Sequence, residues 1–264
     1  MLDQLLLQTQ NNPSIISSMN TLSDKLSIWI KEQVKNAGAK GCVFGLSGGI
    51  DSAVVGVLCK QIFPENVLGL LMPCFSNDED IKHAQLLASK FAIPTRLIDL
   101  RFAYDQLYVQ LEGKPFEGEK NNLAAANIKP RLRMLSLYYH ANKNNYLVVG
   151  TGNKSEAVMG YCTKYGDGGV DILPLAALLK SQVRELAQEL GVPEVIIEKP
   201  PSAGLWLGQT DEEEMGIRYA ELDKIIVGLE KGDLTGLDEC QVKKVQQKMT
   251  SCAHKFNLLP IFQP

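Results

Sequence analysis

Short apolar runs alternate with helical stretches along most of the chain. Apolar residues at helical spacing predict a first helix from Ile15 to Ala37, with Gly38 as its C-cap. Four apolar runs are typical of strands, at residues 42–46, 67–72, 95–100 and 146–150. Helical stretches separate and follow these runs, at residues 51–61, 76–91, 101–112, 123–142, 155–159, 179–190 and 239–253.

Two four-residue segments have the form of a capping box, in which Ser or Thr is followed three residues later by Glu. Residues 76–79 read Ser-Asn-Asp-Glu and residues 210–213 read Thr-Asp-Glu-Glu, so each predicts the start of a helix. Pro130 predicts a kink or a start within the helix over residues 123–142. Residues 195–197 fit either a fifth strand or a helical extension.

Strands that alternate with helices form a mainly parallel sheet covered on both faces. We predict a three-layer α/β/α fold with a five-stranded sheet, in a single domain over residues 1–264. Ligands of such folds bind beyond the carboxyl ends of the strands, where the strand order switches. The residues just after each strand are therefore the candidates for a functional site.

The loop after the first predicted strand has the composition of an anion-binding cradle. Residues 45–52 read Gly-Leu-Ser-Gly-Gly-Ile-Asp-Ser. Gly48 and Gly49 let backbone amides turn inward, and the following helix adds unpaired N–H groups and a positive dipole end. Ser47 and Ser52 add hydroxyl donors. The loop is not a Walker A sequence, because no Lys follows the glycines.

Acidic residues beside this cradle indicate a cation. Asp51 is unfavourable next to a phosphate unless Mg²⁺ lies between them. A second Gly-rich turn follows the fourth strand at residues 150–156, where Glu156 can supply another carboxylate. The simpler alternatives are a Gly-rich turn with Asp51 as a helix-start acid, and a solvated surface turn after the fourth strand.

Composition and charge exclude several classes of protein. The chain has 264 residues, of which 45% are apolar, so a sizeable core is expected and disorder is not. The formal net charge of −3 argues against nucleic-acid binding through bulk charge. No apolar run is long enough to span a membrane, and the start lacks the pattern of a secretory signal. The six scattered cysteines fit reduced thiols of a cytoplasmic protein.

Residues 47–52 resemble the Ser-Gly-Gly-x-Asp-Ser loop of the N-type ATP pyrophosphatases, which cleave ATP between its α and β phosphates and adenylate an acceptor. Residues 150–156, Gly-Thr-Gly-Asn-Lys-Ser-Glu, and residues 163–171, Thr-Lys-Tyr-Gly-Asp-Gly-Gly-Val-Asp, resemble signatures of the NAD synthetases within that superfamily. The resemblance extends from about Gly45 to Lys255. It implies an adenine-nucleotide alpha-hydrolase-like fold, with ATP as co-substrate and Mg²⁺ as cofactor.

The resemblance implies roles for individual residues. Asp51 and Glu156 would bind Mg²⁺. The residues that would bind ATP are Gly45, Leu46, Ser47, Gly48, Gly49, Ile50, Asp51, Ser52, Thr151, Lys180 and Ser202. The residues that would bind deamido-NAD are Arg131, Lys164, Asp171, His254 and Lys255.

Several of these assignments have a structural alternative. Arg131 and Arg133 are two positions apart and cannot share one helix face, so Arg131 is assigned to the substrate and Arg133 to structure. Lys180 without the resemblance would be an ordinary solvated lysine, and His254 a surface histidine. Ser202 stands where the family usually has Thr, and keeps the hydroxyl.

The implied reaction has two halves. The nicotinate carboxylate of deamido-NAD attacks the α-phosphorus of ATP, which gives an adenylate and pyrophosphate. Ammonia then displaces AMP and gives NAD, the last step of NAD biosynthesis. The candidate catalytic residues are Asp51, Glu156, Lys180 and Asp167, the last for binding a cation or for orienting or deprotonating ammonia. The 44 residues before Gly45 leave no room for an N-terminal glutaminase domain, so ammonia is the expected nitrogen source.

Two other functions compete with this interpretation. A tRNA-modifying thiolase of the same superfamily would carry catalytic cysteines and a basic RNA surface, neither of which the sequence has. A non-catalytic nucleotide sensor would bind ATP without releasing pyrophosphate, and the presence of Asp51, Glu156 and Lys180 argues against it. The resemblance also implies a homodimer, and we expect neither nucleic-acid nor membrane partners.

Overall fold

The computed structural model describes residues 21–118, 122–206, 208–257 and 260–262. These residues contain four strands, β1 (Gly41–Gly45), β2 (Val67–Leu71), β3 (Thr95–Leu97) and β4 (Tyr146–Val148). The first six helices are α1 (Leu22–Asn36), α2 (Ile50–Ile62), α3 (Asp78–Lys90), α4 (Arg101–Glu112), α5 (Leu123–Ala126) and α6 (Ile128–Asn144). The next six are α7 (Lys154–Val158), α8 (Lys180–Glu189), α9 (Glu194–Ile197), α10 (Asp211–Met215), α11 (Tyr219–Lys231) and α12 (Glu239–Cys252), followed by a 3₁₀ turn at Ala253–Lys255.

The four strands form one parallel sheet in the order β3-β2-β1-β4. Strand β1 lies at the centre, where Cys42 is paired with Val67 on one side and Leu147 on the other. The chain moves outward from β1 to β3 in one direction and returns to the other side of β1 with β4. The strand order therefore switches between β1 and β4, which is where a ligand is expected.

The prediction of an α/β fold with a parallel sheet is confirmed, but the prediction of five strands is wrong for the described residues. Residues 194–197 form helix α9 instead of a strand. Pro193 begins this helix, and its carbonyl accepts the amide of Ile196 at 2.9 Å. Beyond β4, Val149 makes an isolated parallel bridge with Ile172 and not a full strand pair.

The sheet separates two hydrophobic clusters, because alternate residues of a strand point to opposite faces. Cys42 and Phe44 of β1 pack with side chains from α1, α2 and α8. Val43 of β1 packs instead with Tyr104 of α4 and Leu137 of α6. Both clusters are close to fully buried, so the central strand has hydrophobic residues facing both sides, as parallel strands usually do.

A third hydrophobic cluster joins the helices that follow the sheet in the sequence. Met159 after α7, Leu222 and Ile226 of α11, and Val245 of α12 belong to it. This helical cluster lies next to α8, since α11 contacts both α7 and α8. It therefore supports the residues that come directly after β4.

Helix boundaries differ from the sequence predictions in several places. Helix α3 is capped by Asn77, whose side chain accepts the amide of Glu79, and not by Ser76. Thr210 begins α10 without a side-chain cap, and this helix ends at Gly216, whose φ of 64° is left-handed. The predicted helix over residues 123–142 is broken at residue 127 into α5 and α6, and helix α11 was not predicted. Helix α1 begins at residue 22, and the predicted helical residues 15–20 lie outside the described residues.

No helix in the described part of the chain is long and apolar enough to cross a bilayer.

Gly48 lies at a close approach between the loop after β1 and helix α3. Its φ is 80°, and a Cβ at this position would lie 2.1 Å from the carbonyl oxygen of Asp80. Gly49 has an ordinary φ of −93°, and its nearest contact would be Ser47 Oγ at 3.4 Å. Only the first of the two glycines is therefore required by backbone conformation and by space.

We expect Gly48→Ala to lower the free energy of unfolding by about 2 kcal/mol or more, because the left-handed backbone and the contact with Asp80 both oppose a side chain. Gly49→Ala is the matched control and should change it by less than about 1 kcal/mol. Urea unfolding of both variants measures the difference. Equal losses in the two variants would contradict this account.

Candidate active site

The loop after β1 is held in a compact turn by its own serines. The hydroxyl of Ser52 donates to the carbonyl of Gly49 at 2.8 Å and accepts the amide of Ser47 at 3.2 Å. Ser47 Oγ donates to the same hydroxyl at 3.0 Å. The turn ends at the first residues of α2, so the free N–H groups of this helix face the space above the sheet. This arrangement suits a phosphate, as the sequence predicts.

Three charged side chains from separate parts of the chain meet beside this loop. Lys180 Nζ lies 2.5 Å from Asp51 Oδ2 and 3.2 Å from Glu156 Oε1. The exposed fractions of the three side chains are 5% for Lys180, 15% for Asp51 and 18% for Glu156. Low exposure makes their interaction much stronger than that of a surface ion pair. These three residues are three of the four predicted catalytic residues and include both predicted metal ligands, and the fold brings Lys180 into contact with both acids.

Electrostatic effects within this group are large. Burial raises the pKa of Glu156 to about 7, an effect that Lys180 opposes and Asp51 increases. Burial alone would lower the pKa of Lys180, but the two carboxylates more than offset it and hold that pKa above its usual value. Lys180 is therefore a permanent cation at this position. Lys180, Asp51 and Glu156 thus form a buried cation shared by two acids. Such an arrangement is more typical of functional sites than of protein surfaces.

Asn153 joins the two acids and was not predicted as a site residue. It is fully buried, and its Nδ2 donates to Asp51 Oδ1 at 2.8 Å. Its side-chain oxygen accepts the amide of Glu156 at 3.0 Å, while its own amide donates to the Glu156 carboxylate at 3.2 Å. Asn153 thus caps α7 and orients both carboxylates at once.

Asp223 of α11 fixes the start of α8, and so the position of Lys180. Its Oδ1 accepts the hydroxyl of Ser155 at 2.5 Å, and its Oδ2 accepts the amide of Ser181 at 2.9 Å. The amide of Lys180 donates in turn to Ser155 Oγ at 3.0 Å. A carboxylate at a helix N-terminus satisfies amides that have no partner within the helix. Asp223 therefore caps α8 from another helix and ties it to α7.

A cavity of about 500 Å³ lies over the carboxyl edge of the sheet, between the loops after β1 and β4. Its volume is in the range of sites for nucleotide-sized ligands. Most of the predicted ATP and catalytic residues line it: residues 45–47 and 49–52, Thr151, Glu156, Asp167, Lys180 and Ser202. Lys255 lines it as well, and its Nζ donates to the carbonyls of Gly160 and Cys162.

Four residues that the resemblance assigns to deamido-NAD do not line this cavity. Arg131 is exposed and lies 3.4 Å from the carbonyl of Lys164, whose Nζ donates to the carbonyl of His254 at 2.8 Å. These three residues are joined in a row, from Arg131 at the start of α6, through Lys164 in the loop after α7, to His254 in the 3₁₀ turn after α12. Asp171 is elsewhere, at the end of β4, and accepts the hydroxyl of Tyr138 at 2.9 Å.

Arg133 and Asp211 line the cavity although neither was assigned to it from the sequence. The Arg133 side chain donates to the carbonyl of Met72 and to Ser76 Oγ, both at 3.2 Å. Arg131 and Arg133 lie on different faces of α6, as their two-residue spacing predicts. Arg133 lines the cavity and Arg131 does not. Asp211 is buried. The sequence of residues 210–213 matches a capping box, so it indicated only a helix start and gave no reason to assign Asp211 to the site.

The chain is similar in sequence to a known protein family and to a curated protein. A family model described as NAD synthase matches residues 22–259. A curated protein named NH(3)-dependent NAD(+) synthetase, from Syntrophomonas wolfei, is 52% identical over 234 residues. That alignment covers 88% of this chain and 92% of the relative.

Two solved structures resemble the described fold closely. An NMN synthetase from Francisella tularensis has a TM-score of 0.82 and 37% identity, covering 90% of this chain and 96% of its own. An NH3-dependent NAD synthetase from Campylobacter jejuni has a TM-score of 0.78 and 32% identity, covering 91% and 97%. Each match extends over nearly the whole length of the other protein.

We expect Asp223→Ala to lower the free energy of unfolding by about 3 kcal/mol, because it leaves Ser155 and the start of α8 without a buried acceptor. Asp238, the exposed cap of α12, is the matched control, and Asp238→Ala should lower it by about 1 kcal/mol. Urea unfolding gives both values. If Asp223→Ala lowers the free energy of unfolding no more than Asp238→Ala does, the buried cap contributes no more stability than an exposed one.

Proposed function

The chain belongs to the NAD synthase family, and from this membership we propose that it is a ligase that amidates deamido-NAD with ammonia. ATP is the co-substrate, and the products are NAD, AMP and pyrophosphate. The observation that carries the proposal is the contact of Lys180 with Asp51 and Glu156 beside the serine-bonded loop. A positive charge, two acids and an amide cradle at one cavity suit a reaction at a phosphate chain.

The donor set fits Mg²⁺. Both Asp51 and Glu156 contact the same ammonium nitrogen, so their oxygens already converge on one cation. Among the described residues no three or more His, Cys, Asp or Glu side chains form a metal site. Mg²⁺ commonly takes one or two carboxylates and completes its shell with phosphate oxygens and water. When bound here, the ion would neutralise phosphate charge and polarise the phosphoryl oxygens.

The first half-reaction brings a carboxylate to a polyanion, which is electrostatically unfavourable. Ser47, Ser52 and the amides at the start of α2 bind the ATP phosphates, and Lys180 places its ammonium against them. Thr151 and Ser202, which also line the cavity, contact the rest of ATP. The nicotinate carboxylate attacks the α-phosphorus, the bond to the β-phosphate oxygen breaks, and pyrophosphate leaves. Positioning and charge stabilisation supply most of the catalysis, as in other phosphoryl-transfer enzymes.

Deamido-NAD binds, in this proposal, around α6. Arg131, Lys164 and Lys255 supply positive charge near one end of this helix, and the carbonyl of His254 accepts the ammonium of Lys164. Positive charge here suits the substrate's phosphates. Asp171 is bonded to Tyr138, and Tyr138 lines an apolar groove along this helix. The groove has Leu135 and Tyr139, which are 65% and 64% exposed, on its surface.

These exposed apolar residues support a homodimer through α6, with the dinucleotide bound near the interface. We also propose a cytoplasmic location, because ATP is a substrate and the six cysteines are free thiols. We infer one catalytic domain of the three-layer α/β/α, adenine-nucleotide alpha-hydrolase-like type. Neither nucleic acid nor a membrane is a partner in this proposal.

In the second half-reaction ammonia attacks the adenylated carbonyl, and AMP leaves. Asp167 lines the cavity, where its Oδ1 accepts the amide of Thr163 at 2.9 Å. This bond orients the carboxyl group, which would hold ammonium or accept its proton. We propose that Asp167 has this role.

One reaction tests the function directly. Incubation of the protein with Mg·ATP, deamido-NAD and ammonium chloride should give equal amounts of NAD, AMP and pyrophosphate by mass spectrometry. Glutamine in place of ammonium should give no NAD, because the donor is free ammonia. Nicotinate mononucleotide is the competing acceptor, since one similar structure is an NMN synthetase. Faster amidation of the mononucleotide would reassign the substrate, and binding of ATP without pyrophosphate release would indicate a sensor.

We expect Asp167→Asn to slow NAD formation by about 100-fold or more, because a positioned proton acceptor contributes that much. Pyrophosphate release in the first turnover, without ammonium, should change little. Rapid-quench measurement of the two steps separates them. Equal rates of amidation in the variant and the wild type would remove this role.

A further inference from the structure

Lys180 lies where it competes with a metal ion. Its ammonium is in contact with Asp51 and Glu156, the two carboxylates that we propose as ligands of Mg²⁺. Two cations cannot share the space between the same pair of carboxylates without strong repulsion. Lys180 must therefore leave at least one of these carboxylates when Mg·ATP binds, and a buried ammonium needs another acceptor.

Asp211 offers a buried acceptor oxygen close to Lys180. The residue is 3% exposed, and its Oδ1 is buried without a hydrogen-bond partner among the described residues. Its Oδ2 accepts the hydroxyl of Tyr219 at 3.0 Å. The hydroxyl of Tyr161 is close, but its proton goes to Glu214 Oε2 at 2.8 Å. A buried carboxylate oxygen without a donor is rare and unfavourable, so a function is expected for it.

Lys180 lies close enough to Asp211 for its positive charge to act on this carboxylate. Its Nζ lies over the ring of Tyr219, 5.2 Å from the centroid, and the hydroxyl of this ring is bonded to Asp211. Burial raises the pKa of Asp211, and the charge of Lys180 is the largest opposing influence. A lysine has a flexible four-carbon stem and three donors, so one donor can bind Asp211 while others face the phosphates.

We propose that Asp211 is a positioning residue that receives the Lys180 ammonium when the metal and nucleotide bind. In the structure described here Lys180 neutralises Asp51 and Glu156, and in the loaded enzyme it is held by Asp211 and the ring of Tyr219. The move exposes both carboxylates to the metal and keeps the ammonium buried and paired. The inference rests on the proposed function, because it takes those two carboxylates as the metal ligands.

Mn²⁺ binding tests the proposal without using activity. Free Mn²⁺ is measured by electron paramagnetic resonance, with the enzyme saturated by α,β-methylene ATP. We expect Asp211→Asn to weaken Mn²⁺ binding by about 10-fold, because Lys180 then stays on the metal ligands. The carboxamide oxygen can still accept the Tyr219 hydroxyl, so the fold should persist, and thermal unfolding checks it. In a Lys180→Met background the same substitution should have an effect of less than about twofold, since no ammonium needs relocation.

Glu214→Gln is the matched control. Glu214 also lines the cavity, but it is an exposed acid whose Oε2 accepts from Tyr161 and Gln209, so it is not a buried acceptor that lacks a donor. Its substitution should change Mn²⁺ binding by less than about twofold. Three results would overturn the proposal: no effect of Asp211→Asn, an equal effect in the Lys180→Met background, or an equal effect of Glu214→Gln. The proposed function fails separately, if the wild-type protein makes no NAD from deamido-NAD and ammonium.

Discussion

The sharing of one buried ammonium by two carboxylates is the interaction on which the site depends. Lys180, Asp51 and Glu156 are all held at low exposure, and removal of Lys180 would leave two buried carboxylates without a compensating charge. Such a group is stable only where the backbone fixes all three positions. The parallel sheet provides this, because the segments after β1 and β4 emerge side by side at its carboxyl edge.

The helices after the sheet complete this constraint. Asp223 caps α8 and ties it to Ser155, so Lys180 and Glu156 share one support. Asn153 then joins Glu156 to Asp51 through side-chain and backbone bonds. Every charged group in the centre is thus oriented by a buried polar neighbour, which gives the precise geometry that phosphoryl chemistry requires.

Most of the fold and the centre of the site could be predicted from the sequence, because local signals encode them. Gly-rich turns after apolar strands located Asp51 and Glu156, and helical spacing located most helices. The predictions that were wrong or missing concern features that depend on contacts between distant segments. Residues 195–197 are too short for periodicity to separate strand from helix, and the Thr210 segment matched a capping box that Thr210 does not form. Asn153 contacts Asp51, 102 positions away, and the local Asn-x-x-Glu pattern at residues 153–156 predicts only a helix cap. The contacts of Asp211 with Tyr219 and Lys180 likewise belong to no local pattern.

The wide spacing of the central charges along the chain has a consequence for folding. Asp51 and Lys180 are 129 positions apart, and their contact closes only when β1, β4 and α8 are all in place. Contacts between such distant segments form late, after the entropy of a long loop has been overcome. The site is therefore among the last parts of the molecule to assemble. Molecules that have regained their helices and their compactness would still lack this group of charges. Ligand binding therefore measures completed folding more strictly than a signal from secondary structure does.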